Sequence, residues 1–119
     1  MTEGIRTIIY PVKDITQAKQ LYSQLFGVTP YMDEPYYVGF AVGGQDIGLD
    51  PGGHKQGMTG PVSYWHVSDI KNTLKVLLDA GAHLQQDVKD VGGGKLIASV
   101  KDADSNMIGL IQMASSAPA

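Results

Sequence analysis

The chain has 119 residues, 43% of them apolar, which is enough for one core and marginal for two independent ones. The absence of cysteine excludes a disulfide framework and thiolate metal or redox chemistry, and fits a reducing compartment. Net charge is −3 with Lys and Arg scattered singly, so the basic stripe that a nucleic-acid partner requires is missing.

The opening residues Met1-Thr2-Glu3-Gly4-Ile5-Arg6 carry an acid and no apolar signal region, and no apolar run approaches the ~20 residues of a membrane helix. The expectation is a cytoplasmic protein with no membrane partner. Thr7 to Val12 is β-branched and aromatic, which predicts a strand. Asp14 then offers a helix cap, and Ile15, Ala18, Leu21, Tyr22, Leu25 and Phe26 recur at steps of three and four up to Gly27, a residue suited to the left-handed end of a helix. Leu21 and Leu25 are expected in the core. A short strand is expected over Pro30 to Asp33. Tyr36 to Val42 and Gln45 to Asp50 flank Gly43-Gly44, a two-residue hairpin signal.

The same order then repeats. Val62 to Val67 is a strand, Asp69 a cap, and Ile70, Thr73, Leu74, Leu77 and Leu78 a helix stripe before Gly81. A short strand is expected over Leu84 to Val88, and Lys95 to Lys101 and Asn106 to Met113 flank the turn-forming Asp102-Ala103-Asp104-Ser105. Val12-Lys13-Asp14-Ile15 superposes on Val67-Ser68-Asp69-Ile70, and Ile47-Gly48-Leu49 on Ile108-Gly109-Leu110. The fold class is therefore α+β: two tandem βαβββ units forming curved mixed sheets around a cleft, with helices on the outer face. The organisation is one domain over 1–119, with half-units 5–51 and 61–113, a linker over 52–60 and a flexible tail over 114–119.

These motifs resemble the vicinal-oxygen-chelate superfamily, the group of glyoxalases, bleomycin-resistance proteins and extradiol dioxygenases. The resemblance rests on Val12-Lys13-Asp14-Ile15 with Ala18, Tyr22 and Leu25-Phe26-Gly27, on Ala80-Gly81-Ala82, and on Asp102-Ala103-Asp104-Ser105-Asn106 before the last strand. It implies the fold strongly and the activity weakly. In the group's metal enzymes the resemblance places a His or Gln on the first strand of each unit and a Glu in the second hairpin strand. In this chain those positions are Thr7, Val62, Gly48 and Gly109, a set with one weak hydroxyl donor. The expectation is no metal and no cofactor, with glycine at 48 and 109 either leaving space for a ligand or marking a bulge or a close backbone approach.

Strand alternation puts Thr7 and Ile9 on one face, and Val62, Tyr64 and His66 on the equivalent face of the second unit. With Tyr37, Gly48, Asp50 and Gly109 they form the expected ligand-binding set, while alternation sends Trp65 towards its helix. His66 is the one candidate for acid-base work, with a strand-end His bonded to a backbone carbonyl as the plainer reading. Asp50 orients a polar group or is a solvated turn carboxylate ahead of Pro51. The Gly52-Gly53-His54-Lys55-Gln56-Gly57 loop opens no helix, which favours a linker or lid over a phosphate cradle. Three functions fit: a protein that binds or sequesters a small organic molecule, an atypical lyase, isomerase or dioxygenase-like enzyme using His66, and a protein-interaction module. A homodimer is expected from the resemblance and from open sheet edges.

Overall fold

A computed structural model of the chain describes residues 2–114; the expected tail beyond Ala114 lies outside the described residues. The elements in order are β1 (Thr2–Pro11), α1 (Ile15–Phe26), β2 (Met32–Glu34), β3 (Tyr37–Val42), β4 (Gln45–Asp50), a 3-10 turn (His54–Gln56), β5 (Val62–Val67), α2 (Ile70–Asp79), β6 (His83–Asp90), β7 (Leu96–Lys101) and β8 (Met107–Gln112). They form two compact units, one of Arg6–Ser63 and one of Tyr64 to 114 together with residues 2–5.

In the first unit β1 pairs parallel with β4, which pairs antiparallel with β3, and β3 with β2. The second unit repeats this, with β5 parallel to β8, then β7 and β6 antiparallel. Each unit is thus βαβββ, as the repeated motifs predict. β1 starts earlier than expected, and Thr2 Oγ1 donates to the carbonyl of His66 at 3.0 Å, which ties the first residues to the second unit.

The helices start where the caps are. Asp14 Oδ1 accepts the Gln17 N–H at 3.0 Å, and Asp69 Oδ1 accepts that of Asn72 at 3.1 Å. Gly27 closes α1 at φ 69°, a left-handed conformation that costs glycine no steric strain. The β3–β4 hairpin turns on Gly43 and Gly44 at φ 54° and 80°, the pair of positive values that suits the strand twist.

Under α1 the core is Val38, Phe40, Ile47 and Leu49, against which Ile15, Ala18, Tyr22 and Phe26 pack. Leu21 and Leu25 do not join it, being 65% and 72% exposed. Successive residues turn by about 100°, and the four packed side chains already fill the face that the sheet covers, so the two leucines fall on its flank. Under α2 the core is Val67, Ile70, Leu74, Ala98, Val100 and Leu110, with Trp65 and Leu77 packed against it. Trp65 faces the helix, as alternation requires.

Candidate functional site

In each unit, the sheet face turned away from the helix carries the predicted residues. On the first unit it holds Thr7 and Ile9 of β1, Asp46, Gly48 and Asp50 of β4, and Tyr37, Gly39 and Ala41 of β3, in the register Ile9↔Gly48↔Gly39. On the second it holds Tyr64 and His66 of β5, Met107, Gly109 and Ile111 of β8, and Ile97, Ser99 and Lys101 of β7, in the register Tyr64↔Gly109↔Ser99. The two faces are position-for-position equivalents, so Gly39 corresponds to Ser99 and Ile9 to Tyr64.

The glycines do not leave empty space. A β-carbon on Gly48 would collide with the Tyr37 hydroxyl, stand 2.5 Å from Tyr37 Cζ and lie 2.7 Å from Ile9 Cδ1. On Gly109 it would lie 2.6 to 2.8 Å from Cδ2, Cγ and Cε2 of Tyr64, and on Gly39 it would lie 2.8 Å from Cζ and the hydroxyl of Tyr31. Three strand glycines therefore each carry a tyrosine ring from a neighbouring segment. Strand glycine is weak because it offers nothing to pack, and an aromatic ring laid on it restores the lost contact. The expectation that glycine at 48 and 109 opens room for a ligand is corrected: the chain's own rings fill that volume.

The rings differ in setting. Tyr64 is 7% exposed and mid-strand, Tyr37 is half-buried at the start of β3, and Tyr31 is mostly exposed. The Tyr31 hydroxyl donates to Asp46 Oδ1 at 2.7 Å. Burial pushes the Tyr31 phenol far above its ordinary value, and the hydrogen bond to Asp46 and its negative charge add to the shift. The Tyr31–Asp46 pair joins the candidate face although neither residue is in the expected ligand-binding set: Tyr31 falls in the short strand expected over Pro30 to Asp33, whereas β2 starts at Met32 and Tyr31 precedes it.

Thr7, Val62 and His66 are buried at 3%, 3% and 8% exposure. Asp50 Oδ1 accepts the Gly52 N–H at 2.8 Å, and the Asp50 carbonyl accepts the Gly53 N–H at 3.2 Å, so its role as a turn carboxylate is realised. The 52–60 segment is anchored as well. Met58 N–H donates to the Gly53 carbonyl at 3.0 Å, and Met58 is 5% exposed, so the turn closes on itself and buries the Met58 side chain. A broad groove open to solvent follows α1 past Gln17, Leu21, Gln24, Val28 and Asp33, on the helix side of the first unit, and includes none of the predicted site residues.

No protein-family model and no curated protein sequence matches the chain. Solved structures do match. A glyoxalase/bleomycin resistance protein/dioxygenase superfamily member from Vibrio splendidus is similar at 16% identity and TM-score 0.70, over 90% of this chain and 97% of that one. The methylmalonyl-CoA epimerase of Mycobacterium tuberculosis is similar at 18% identity and TM-score 0.71, over 96% and 90%. The fold is the vicinal-oxygen-chelate fold. A Mn(II)-bound glyoxalase from Novosphingobium aromaticivorans shares it at 16% identity and TM-score 0.68, and there 99% of this chain matches 42% of the larger protein.

Vicinal-oxygen-chelate proteins include metal enzymes, so the donor set of this chain was tested against a divalent ion. The residues do not fit one. Thr7 and Val62 offer one hydroxyl between them, and Gly48 and Gly109 have tyrosine carbons where a carboxylate would have to start. Among the described residues, no three His, Asp or Glu side chains are grouped to hold a metal.

Proposed function

We propose that this protein binds a small organic molecule without a metal, on the sheet faces that other proteins of the vicinal-oxygen-chelate fold use for metal-centred chemistry. The observation that carries the reading is the packing of Tyr37 on Gly48 and of Tyr64 on Gly109. It fills the two positions where a metal site needs carboxylates with aromatic rings, of which the half-buried Tyr37 leaves surface exposed while Tyr64 is 7% exposed. Such a surface favours flat or amphipathic organic molecules, which gain apolar contact and stacking there.

The test is native mass spectrometry of the purified chain, together with thermal-shift measurements against a panel of small organic acids, amines and neutral aromatics and against zinc, nickel, manganese and iron. Any species that binds only the folded state raises its stability by mass action, by about 2.7 kcal/mol at one hundred times its dissociation constant. The expected result is a shift with at least one organic class and none with the ions. A stoichiometric ion that raises the melting temperature, or a panel in which no organic class does so, overturns the reading.

A further inference from the structure

Ser99 is the one polar residue in the run Leu96-Ile97-Ala98-Ser99-Val100 of β7. Its neighbours Ala98 and Val100 are 1% and 0% exposed within the α2 core, so alternation turns Ser99 to the opposite face, level with Gly109 on one side and Gln86 on the other. Ser99 is 5% exposed. Among the described residues its hydroxyl makes no hydrogen bond, and no fully buried side-chain nitrogen or oxygen lacks a partner, so Oγ keeps some access to solvent.

The surroundings define what the hydroxyl can meet. Ile97 and Ile111 are apolar, and the Tyr64 ring lies on Gly109 directly between β5 and Ser99. Two cations are in register with it: Lys101 is two residues along the strand, opposite His83, and Lys89 pairs with Ile97. The nearby carboxylates are turned to backbone amides, Asp87 to the N–H of Val88 and Asp102 to those of Asp104 and Asn106. The first unit has no such feature, because Gly39 stands in the place of Ser99 and carries the ring of Tyr31.

We propose that Ser99 is the polar anchor of a site for an organic carboxylate with an apolar body. Its hydroxyl donates to a carboxylate oxygen, Lys101 supplies the compensating charge, and Ile97, Ile111 and Tyr64 cover the apolar part. This rests on the small-molecule reading above and locates it on the second unit.

Benzoate and hexanoate, with benzyl alcohol and 1-hexanol as neutral counterparts, are titrated into the full ¹⁵N-labelled chain and into Ser99→Ala and Lys101→Met variants, with binding read from amide shifts. The expected result is binding of the carboxylates in preference to the alcohols, with shifts at Ser99, Gly109 and Ile111. Ser99→Ala is expected to bind roughly ten- to hundredfold more weakly while melting no lower than the parent, because a hydrogen bond to a charged group of the ligand is lost and no hydrogen bond within the described residues is broken. Lys101→Met is expected to weaken the carboxylates and leave the alcohols unchanged. Equal binding by parent and Ser99→Ala, or shifts confined to the first unit, overturns the proposal. If amines or neutral aromatics of the wider panel bind while carboxylates do not, this inference falls and the small-molecule reading stands; if nothing in the panel binds, both fall.

Discussion

The hydroxyl end of the Tyr37 ring occupies the place that a β-carbon on Gly48 would take, whereas at Gly109 the same place is held by the root of the Tyr64 ring, at Cγ and Cδ2. The far end of a half-buried side chain can shift aside. A ring fixed near its own backbone cannot.

Gly109→Ala is therefore expected to destabilise the fold by about 1–3 kcal/mol, and Gly48→Ala by clearly less, since Tyr37 can rotate outward. Urea unfolding of the two variants measures the difference. Equal losses would mean that both rings are equally confined.

The pairing of Tyr64 with Gly109 is further expected to show as non-additivity. In a double-mutant cycle Tyr64→Ala should recover much of the loss caused by Gly109→Ala, because the collision disappears with the ring. Simple addition of the two losses would show that the overpacking lies elsewhere.

Tyr31 gives a prediction at high pH. Its phenol titrates far above the ordinary 10.0 in the folded protein, so its contribution to stability is fully present below that pH and is lost as pH rises towards the raised folded value. Tyr31→Phe should flatten the alkaline fall in stability, and the ultraviolet tyrosinate titration should lose a component that ionises above the ordinary range. Unchanged titration would separate Tyr31 from Asp46.

At the acid end, the Asp102 carboxylate accepts from the side chain and backbone of Asn106 and from the Asp104 N–H, and these bonds hold it below the ordinary 3.8. Its contribution is present above that value and is lost as pH falls through the lowered one. Carboxyl carbon NMR should give Asp102 a midpoint below the ordinary 3.8, and Asn106→Ala should move it upward.

Leu74→Ala is expected to cost about 2–5 kcal/mol, and Leu25→Ala to stay within about 0.5 kcal/mol of the parent. Chemical denaturation of both variants checks this, with the 6% exposure of Leu74 against the 72% of Leu25 as its basis.

The leucines also show what sequence alone conveys. Asp14, Gly27, Asp69 and Gly43-Gly44 act through their immediate neighbours, and each marks in the sequence the element end that the structure has. The repeated Ile-Gly-Leu triplets likewise locate the strands. How wide a helix stripe is buried depends on the sheet beneath it, and periodicity could not separate Leu21 and Leu25 from Ala18 and Tyr22. The site was legible to the level of strand faces, because alternation alone puts Tyr64 with His66 and Gly48 with Asp50. The ring-on-glycine contacts were not, since each depends on which way a tyrosine ring leans across to a neighbouring strand, which alternation does not specify, and Tyr64 reaches a glycine on a strand distant in sequence. Ser99 did leave a signal, as one hydroxyl in an otherwise apolar strand, and it passed unnoticed beside the aromatic residues.

The anchoring of the 52–60 segment has a chemical consequence. A β-carbon on Gly53 would lie 3.0 Å from the Met58 sulfur, so the thioether is packed against the chain and screened from solvent, whereas Met113 is 53% exposed. Oxidants attack the exposed thioether first, and sulfoxide formation turns an apolar side chain polar. Under mild peroxide Met113 is the sacrificial site, and sulfoxide at Met58 records the fraction of molecules in which the segment has come away from Asp50.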